Sequence, residues 1–122
     1  MPILELDYIK TVDSSPRQGL AQRVADAAGE VLAAAPGSTW VKLRALARED
    51  YAENGSELAE DLAPVFVRVL LAQPPEAAAR ILMARQLADA VARCFQRPAD
   101  QVHILFEPAA LGRIAFGGVL RQ

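Results

Sequence analysis

The sequence predicts an α+β fold in which two pseudo-repeated βαβ units form one four-stranded sheet with two helices on one face. Three observations predict it. Apolar residues alternate in some segments and recur at helical spacing in others. The order strand, helix, strand, turn runs through the chain twice. Pro2 and Pro64, Pro36 and Pro98, and Gly55 and Gly117 share one offset, 62 residues. With 122 residues, 52% of them apolar, the chain has material for one core, so residues 1–122 are expected to form a single domain with pseudo-repeats 2–61 and 64–122.

The segment 2–9, PILELDYI, alternates and reads as the first strand. Ser15-Pro16-Arg17-Gln18 offers a capping serine, a proline at the first helical position and a glutamine three residues on, which starts a helix. Leu20, Val24, Ala28, Val31 and Leu32 give that helix its buried face, and Pro36-Gly37 is expected to stop it. Residues 40–47 form the second strand, with Val41, Leu43 and Ala45 on one side and Lys42, Arg44 and Leu46 on the other. A polar connection, 48–61, contains the turn pair Asn54-Gly55. The pattern then restarts. PVFVRVLL, 64–71, is a strand, and Pro74-Pro75-Glu76 opens a helix with the stripe Ala77, Ile81, Ala84, Ala88, Val91 and Phe95. Pro98 closes it; Val102, Ile104 and Phe106 alternate with His103, Leu105 and Glu107 in a fourth strand, and residues 112–118, GRIAFGG, form a glycine-rich hairpin. Crossovers of one hand place both helices on the same side of the sheet, leaving the other side bare. That bare face, carrying Leu4, Leu6 or their neighbours, is expected to be buried in an oligomer.

Thirteen basic residues stand against fifteen acidic ones for a net charge of −2, and no segment gathers the basic ones, so a nucleic-acid or anionic-membrane partner is not expected. One cysteine, Cys94, and one histidine provide neither an internal disulfide nor a Cys/His metal cluster. The amino terminus lacks the charge and apolar run of an export signal, and no apolar stretch approaches bilayer length, which makes the cytoplasm the expected compartment.

Pro2 offers the distinctive chemistry. Removal of Met1 would leave a secondary amine at the start of a strand, and an α-amino group titrates near neutrality, where it can act as a base. On its own, Met-Pro is an ordinary chain start. With Met1-Pro2-Ile3 opening a strand, the repeated βαβ plan, Pro98-Ala99-Asp100-Gln101-Val102 before the last long strand, and the ending 112–118, the chain resembles the tautomerase superfamily. It is similar to the long, duplicated type that includes macrophage migration inhibitory factor and 5-carboxymethyl-2-hydroxymuconate isomerase. The half from Pro64 to Gln122 resembles one subunit of 4-oxalocrotonate tautomerase.

The resemblance implies a trimeric tautomerase-like barrel, a homotrimer with sites at subunit boundaries, and a cofactor-independent keto–enol tautomerase. Its substrate would be a small enol or α-keto compound, with Pro2 as general base and acid and with no cofactor and no metal. Pro64, internal and a tertiary amide, is expected to be structural. Where short tautomerases carry an arginine after the first strand, this chain has Val12 and Pro74. A second family arginine matches His103 and, by face, Lys42, whereas the strict offset points to Val41. Lysine lacks arginine's bidentate grip, which argues against a dicarboxylate substrate. Neither are the paired arginines of the dehalogenase and decarboxylase branches present at 72–75, AQPP. The candidate substrate-binding residues are Lys42, His103, Arg113 and Tyr51. Arg44 is expected on a solvated strand face and Cys94 in the core. The alternative is a non-catalytic trimeric member that binds a ligand or protein and retains Met1.

Overall fold

A computed structural model describes residues 1–11 and 18–122. Strands β1 (Ile3–Ile9), β2 (Trp40–Leu46), β3 (Val65–Leu70) and β4 (Val102–Phe106) form one sheet in the order β2-β1-β3-β4. Each βαβ half contributes a parallel pair, β1 with β2 and β3 with β4, and the halves join through antiparallel β1 and β3. Helices α1 (Leu20–Val31) and α2 (Ala77–Phe95) are the crossovers, and a two-stranded hairpin, β5 (Ala115–Phe116) and β6 (Val119–Leu120), ends the chain. No helix among the described residues is long and apolar enough to cross a membrane, and no group of metal-ligating side chains occurs among them.

The pleat explains the core. Leu4 and Leu6 stand opposite Val69 and Val67 on the central strands, and all four share one buried cluster with Leu20, Val24 and Ala28 of α1 and Leu87, Val91 and Phe95 of α2. The open face therefore carries Ile3, Glu5 and Asp7, not Leu4 and Leu6, which are 0% and 1% exposed. It is also half charged, because Glu5 pairs with Lys42, Asp7 with Arg44 and Glu107 with Arg68. Apolar area alone is thus a weaker argument for covering this face than the strand pattern suggested, although Trp40, Phe66 and Leu105 remain exposed.

Both helices end differently from expectation. Helix α1 stops at Val31, ahead of Pro36-Gly37, because Ala33 turns left-handed at φ 51° and the amides of Ala33 and Ala34 bond back to the carbonyls of Glu30 and Gly29. Gln96 does the same after α2, at φ 55°, with its own amide and that of Arg97 bonded to Arg93 and Ala92. These crossed bonds satisfy the orphan carbonyls, so the prolines that follow are not needed as stops. The Ser15-Pro16 start and Val12 lie outside the described residues. In α2 the buried stripe runs through Leu87, Val91 and Phe95; Ile81 is 68% exposed, since the first turns of the helix run past the core.

The structural repeat is 63 residues, one more than the proline offset. Val24 corresponds to Leu87, Ala28 to Val91, left-handed Ala33 to Gln96, and the Glu53–Ser56 bridge around Asn54-Gly55 to the Phe116–Val119 pair around Gly117-Gly118. Hydrogen-bond parity agrees: Trp40 donates to the Pro2 carbonyl, and Glu107 donates to Val69. The counterpart of Pro2 is consequently Val65, with Pro64 matching Met1 and His103 matching Trp40. A one-residue slip exchanges the two faces of a strand, so the difference matters.

Candidate active site

The open face holds a cleft of about 360 Å³ lined by Ile3, Glu5, Lys42, Arg68, Leu70, Glu107, Pro108, Arg113 and Ile114. Pro2 directly precedes Ile3, is half-buried, and accepts a bond from the Trp40 amide at 3.0 Å through its carbonyl. The Pro2 nitrogen is a tertiary amide while Met1 is attached.

Charges alternate across the cleft floor because the register puts them side by side. Glu5 lies opposite both Lys42 on β2 and Arg68 on β3. The Lys42 ammonium is 2.6 Å from Glu5 Oε1, and Arg68 Nε is 3.0 Å from Glu107 Oε1. The hydrogen bond from Lys42 holds the Glu5 carboxyl below the usual carboxylate range. Arg113 joins from the turn after β4, where its guanidinium donates to the Ala109 carbonyl at 3.3 Å. Three cations and two carboxylates line the cleft, so its walls carry a net charge of about +1 and favour an anion, with Leu70, Pro108 and Ile114 offering apolar contact.

Of the candidate residues, Lys42 and Arg113 meet in this cleft, whose wall also includes Ile3, the residue that follows Pro2. His103 and Tyr51 do not join them in the chain. His103 points to the open face as expected and packs on Phe66, ring centroids 5.3 Å apart, while Tyr51 packs on the same Phe66 at 5.8 Å. Phe66 lies opposite Asp7, five residues along β1 from Pro2, or about 17 Å at ~3.3 Å per residue. Tyr51 is fixed there by its own hydroxyl, which donates to Glu53 at 2.6 Å and has its pKa pushed up to about 12, chiefly by that hydrogen bond. Arg48 ties down the segment that carries it, donating to the carbonyls of Leu62 and Ala59 at 2.9 and 2.8 Å.

Arg44 is spent on Asp7 at 2.7 Å on a solvated face, as expected. Cys94 is half-buried with its thiol pKa pushed up by burial, an unreactive arrangement. Sequence reasoning missed Glu5, Arg68 and Glu107 as cleft residues. Arg68 had a signal, being the one charge inside the apolar run PVFVRVLL, but only pairing across strands shows which neighbours share its face. A larger hollow of about 840 Å³ beside α1 and the start of β2 is walled by alanines, Gly29, Asp26 and Glu30, and brings no cation to a substrate anion.

No protein-family model matches the chain, and no curated protein matches it significantly. Solved structures do. Macrophage migration inhibitory factor from Oncomelania hupensis aligns with 99% of this chain and 82% of its own, at 19% identity and a TM-score of 0.74. A fused 4-OT protein solved as a symmetric trimer aligns with 98% of this chain and 94% of its own, at 16% identity and a TM-score of 0.76. The protein Pt0534, solved after inactivation by 2-oxo-3-pentynoate, shows the same coverage and identity at a TM-score of 0.74.

Proposed function

Because the chain has the fold of the tautomerase superfamily, we propose that it is a cofactor-independent tautomerase that moves a proton between carbon and oxygen in a small enol or α-keto acid. The observation that carries this reading is the cationic cleft beside the start of β1, where the Pro2 nitrogen would stand once Met1 is removed. The freed secondary amine takes the enol hydroxyl proton and returns it at carbon; Arg113 and Lys42 hold the carboxylate and the developing oxyanion. A homotrimer fits this scheme, since His103 and Tyr51 lie too far along the sheet to reach the cleft of their own chain and would serve a neighbour's. Three of the fold relatives, all fused 4-OT proteins, were solved as trimers, one symmetric and two asymmetric.

The test compares Met1-free with Met1-retaining protein on phenylenolpyruvate. The free form is expected to be at least ~10² faster, the lower end of what a positioned acid–base group supplies. It is also expected to be inactivated by 2-oxo-3-pentynoate, whose alkyne conjugated to a ketone accepts an amine, with the mass of the adduct on Pro2. Equal rates in both forms would exclude the amine as base and favour the non-catalytic binding protein. Light scattering on the same sample is expected to give three times the chain mass.

A further inference from the structure

We infer that Glu5 and Glu107 are specificity-determining residues that restrict the cleft to substrates with a single carboxylate. This deepens the reading of the cleft as a substrate site and rests on it. Neither carboxylate was expected in the cleft from the sequence, and each is placed to cancel a cation: Glu5 sits between Lys42 and Arg68 in register, and Glu107 binds Arg68 from the next strand. Of the three cations in the cleft, two are therefore matched by the protein's own anions. Arg113 is held by a backbone carbonyl instead, so its guanidinium keeps its charge for a ligand.

The consequence is a choice between ligands. One carboxylate on Arg113 brings the cleft to neutrality. A second carboxylate that lies over the floor displaces Glu5 or Glu107 from its partner or faces them as a like charge. A repulsive element of this kind sets selectivity by penalising the wrong ligand rather than by improving the right one.

Sorbate and trans,trans-muconate test this as a pair, since they share one diene and differ by a methyl in place of a carboxylate. Calorimetric titration of the Met1-free protein is expected to give tighter binding of sorbate. In Glu107→Gln, and separately in Glu5→Gln, the preference is expected to move toward muconate by about tenfold or more, and Glu107→Asp is expected to retain the native preference. Two variants at different strands guard against one that fails to fold. An unchanged ratio in both variants, a native preference for muconate, or no binding of either ligand would overturn the proposal. The readout is binding, so selective sorbate binding by a protein that turns nothing over would sink the tautomerase reading and leave this one standing.

Discussion

The indole of Trp40 meets the ring of Phe116 edge-on, with centroids 5.3 Å apart and planes at 88°. Trp40 is the β2 residue opposite Ile3, and Phe116 belongs to the C-terminal hairpin, so this contact fixes the hairpin against the strand that frames the Pro2 end of the cleft. An aromatic pair of this geometry contributes about 0.5–1.5 kcal/mol beyond its buried area. Replacing Trp40 and Phe116 by leucine singly and together is expected to give a coupling energy in that range by denaturant unfolding. Amide exchange at Gly112 and Arg121, whose bonds close the hairpin base, is expected to speed up in either single variant.

Arg113 and Lys42 differ in their freedom to bind an anion. Arg113→Lys is expected to raise the KM for phenylenolpyruvate about tenfold or more, as a lysine replaces the planar donor set. Lys42→Ala is expected to act more weakly, because Lys42 is already committed to Glu5 at 2.6 Å. Steady-state kinetics on the Met1-free protein checks the order.

Tyr51 is expected to titrate late. Its folded pKa of about 12 lies above the ordinary value of 10.0, chiefly through the hydrogen bond to Glu53. A raised pKa means that the protonated phenol is the favoured folded form. Its contribution to stability is complete below the unfolded value and disappears as pH rises through the folded one, a window of 10 to about 12. Ultraviolet titration of phenolate is expected to show one late tyrosine that Glu53→Gln moves back toward its ordinary value.

Leu87 and Ile81 stand on the same helix with opposite fates, at 0% and 68% exposure. Leu87→Ala removes a buried side chain from the centre of the core and is expected to cost about 2–5 kcal/mol. Ile81→Ala is expected to change stability by less than about 0.5 kcal/mol in the monomer. Urea unfolding of the two variants separates the sequence stripe from the actual core.

Gln96 holds a left-handed φ of 55° without being glycine. A non-glycine residue in that region costs roughly 1–2 kcal/mol, offset in part by the greater unfolded freedom of glycine. Gln96→Gly is therefore expected to stabilise the fold by about 0.5–1 kcal/mol, read as a raised unfolding midpoint.

The sequence by itself determined the two βαβ units, the four strands and two helices, a turn at Asn54-Gly55, a glycine-rich hairpin near the end of the chain, though displaced from 112–118 to strands 115–116 and 119–120, and the outward face of Lys42, Arg44 and His103. These are properties of local periodicity and turn chemistry, which a chain carries whatever it packs against. Tertiary structure decided the rest. The repeat of 63 rather than 62 emerged only from hydrogen-bond parity and paired left-handed residues, because prolines and glycines can sit one position off without changing the plan of the fold. Burial of Leu87 instead of Ile81 depended on how far α2 overlies the core, since residues 77–82 are all exposed. The charged floor of the cleft arose from register, which sets Glu5 beside Lys42 and Arg68 although the three are far apart in the chain. Coulombic interaction follows distance in space, and pairing between strands fixes that distance only when the sheet has formed.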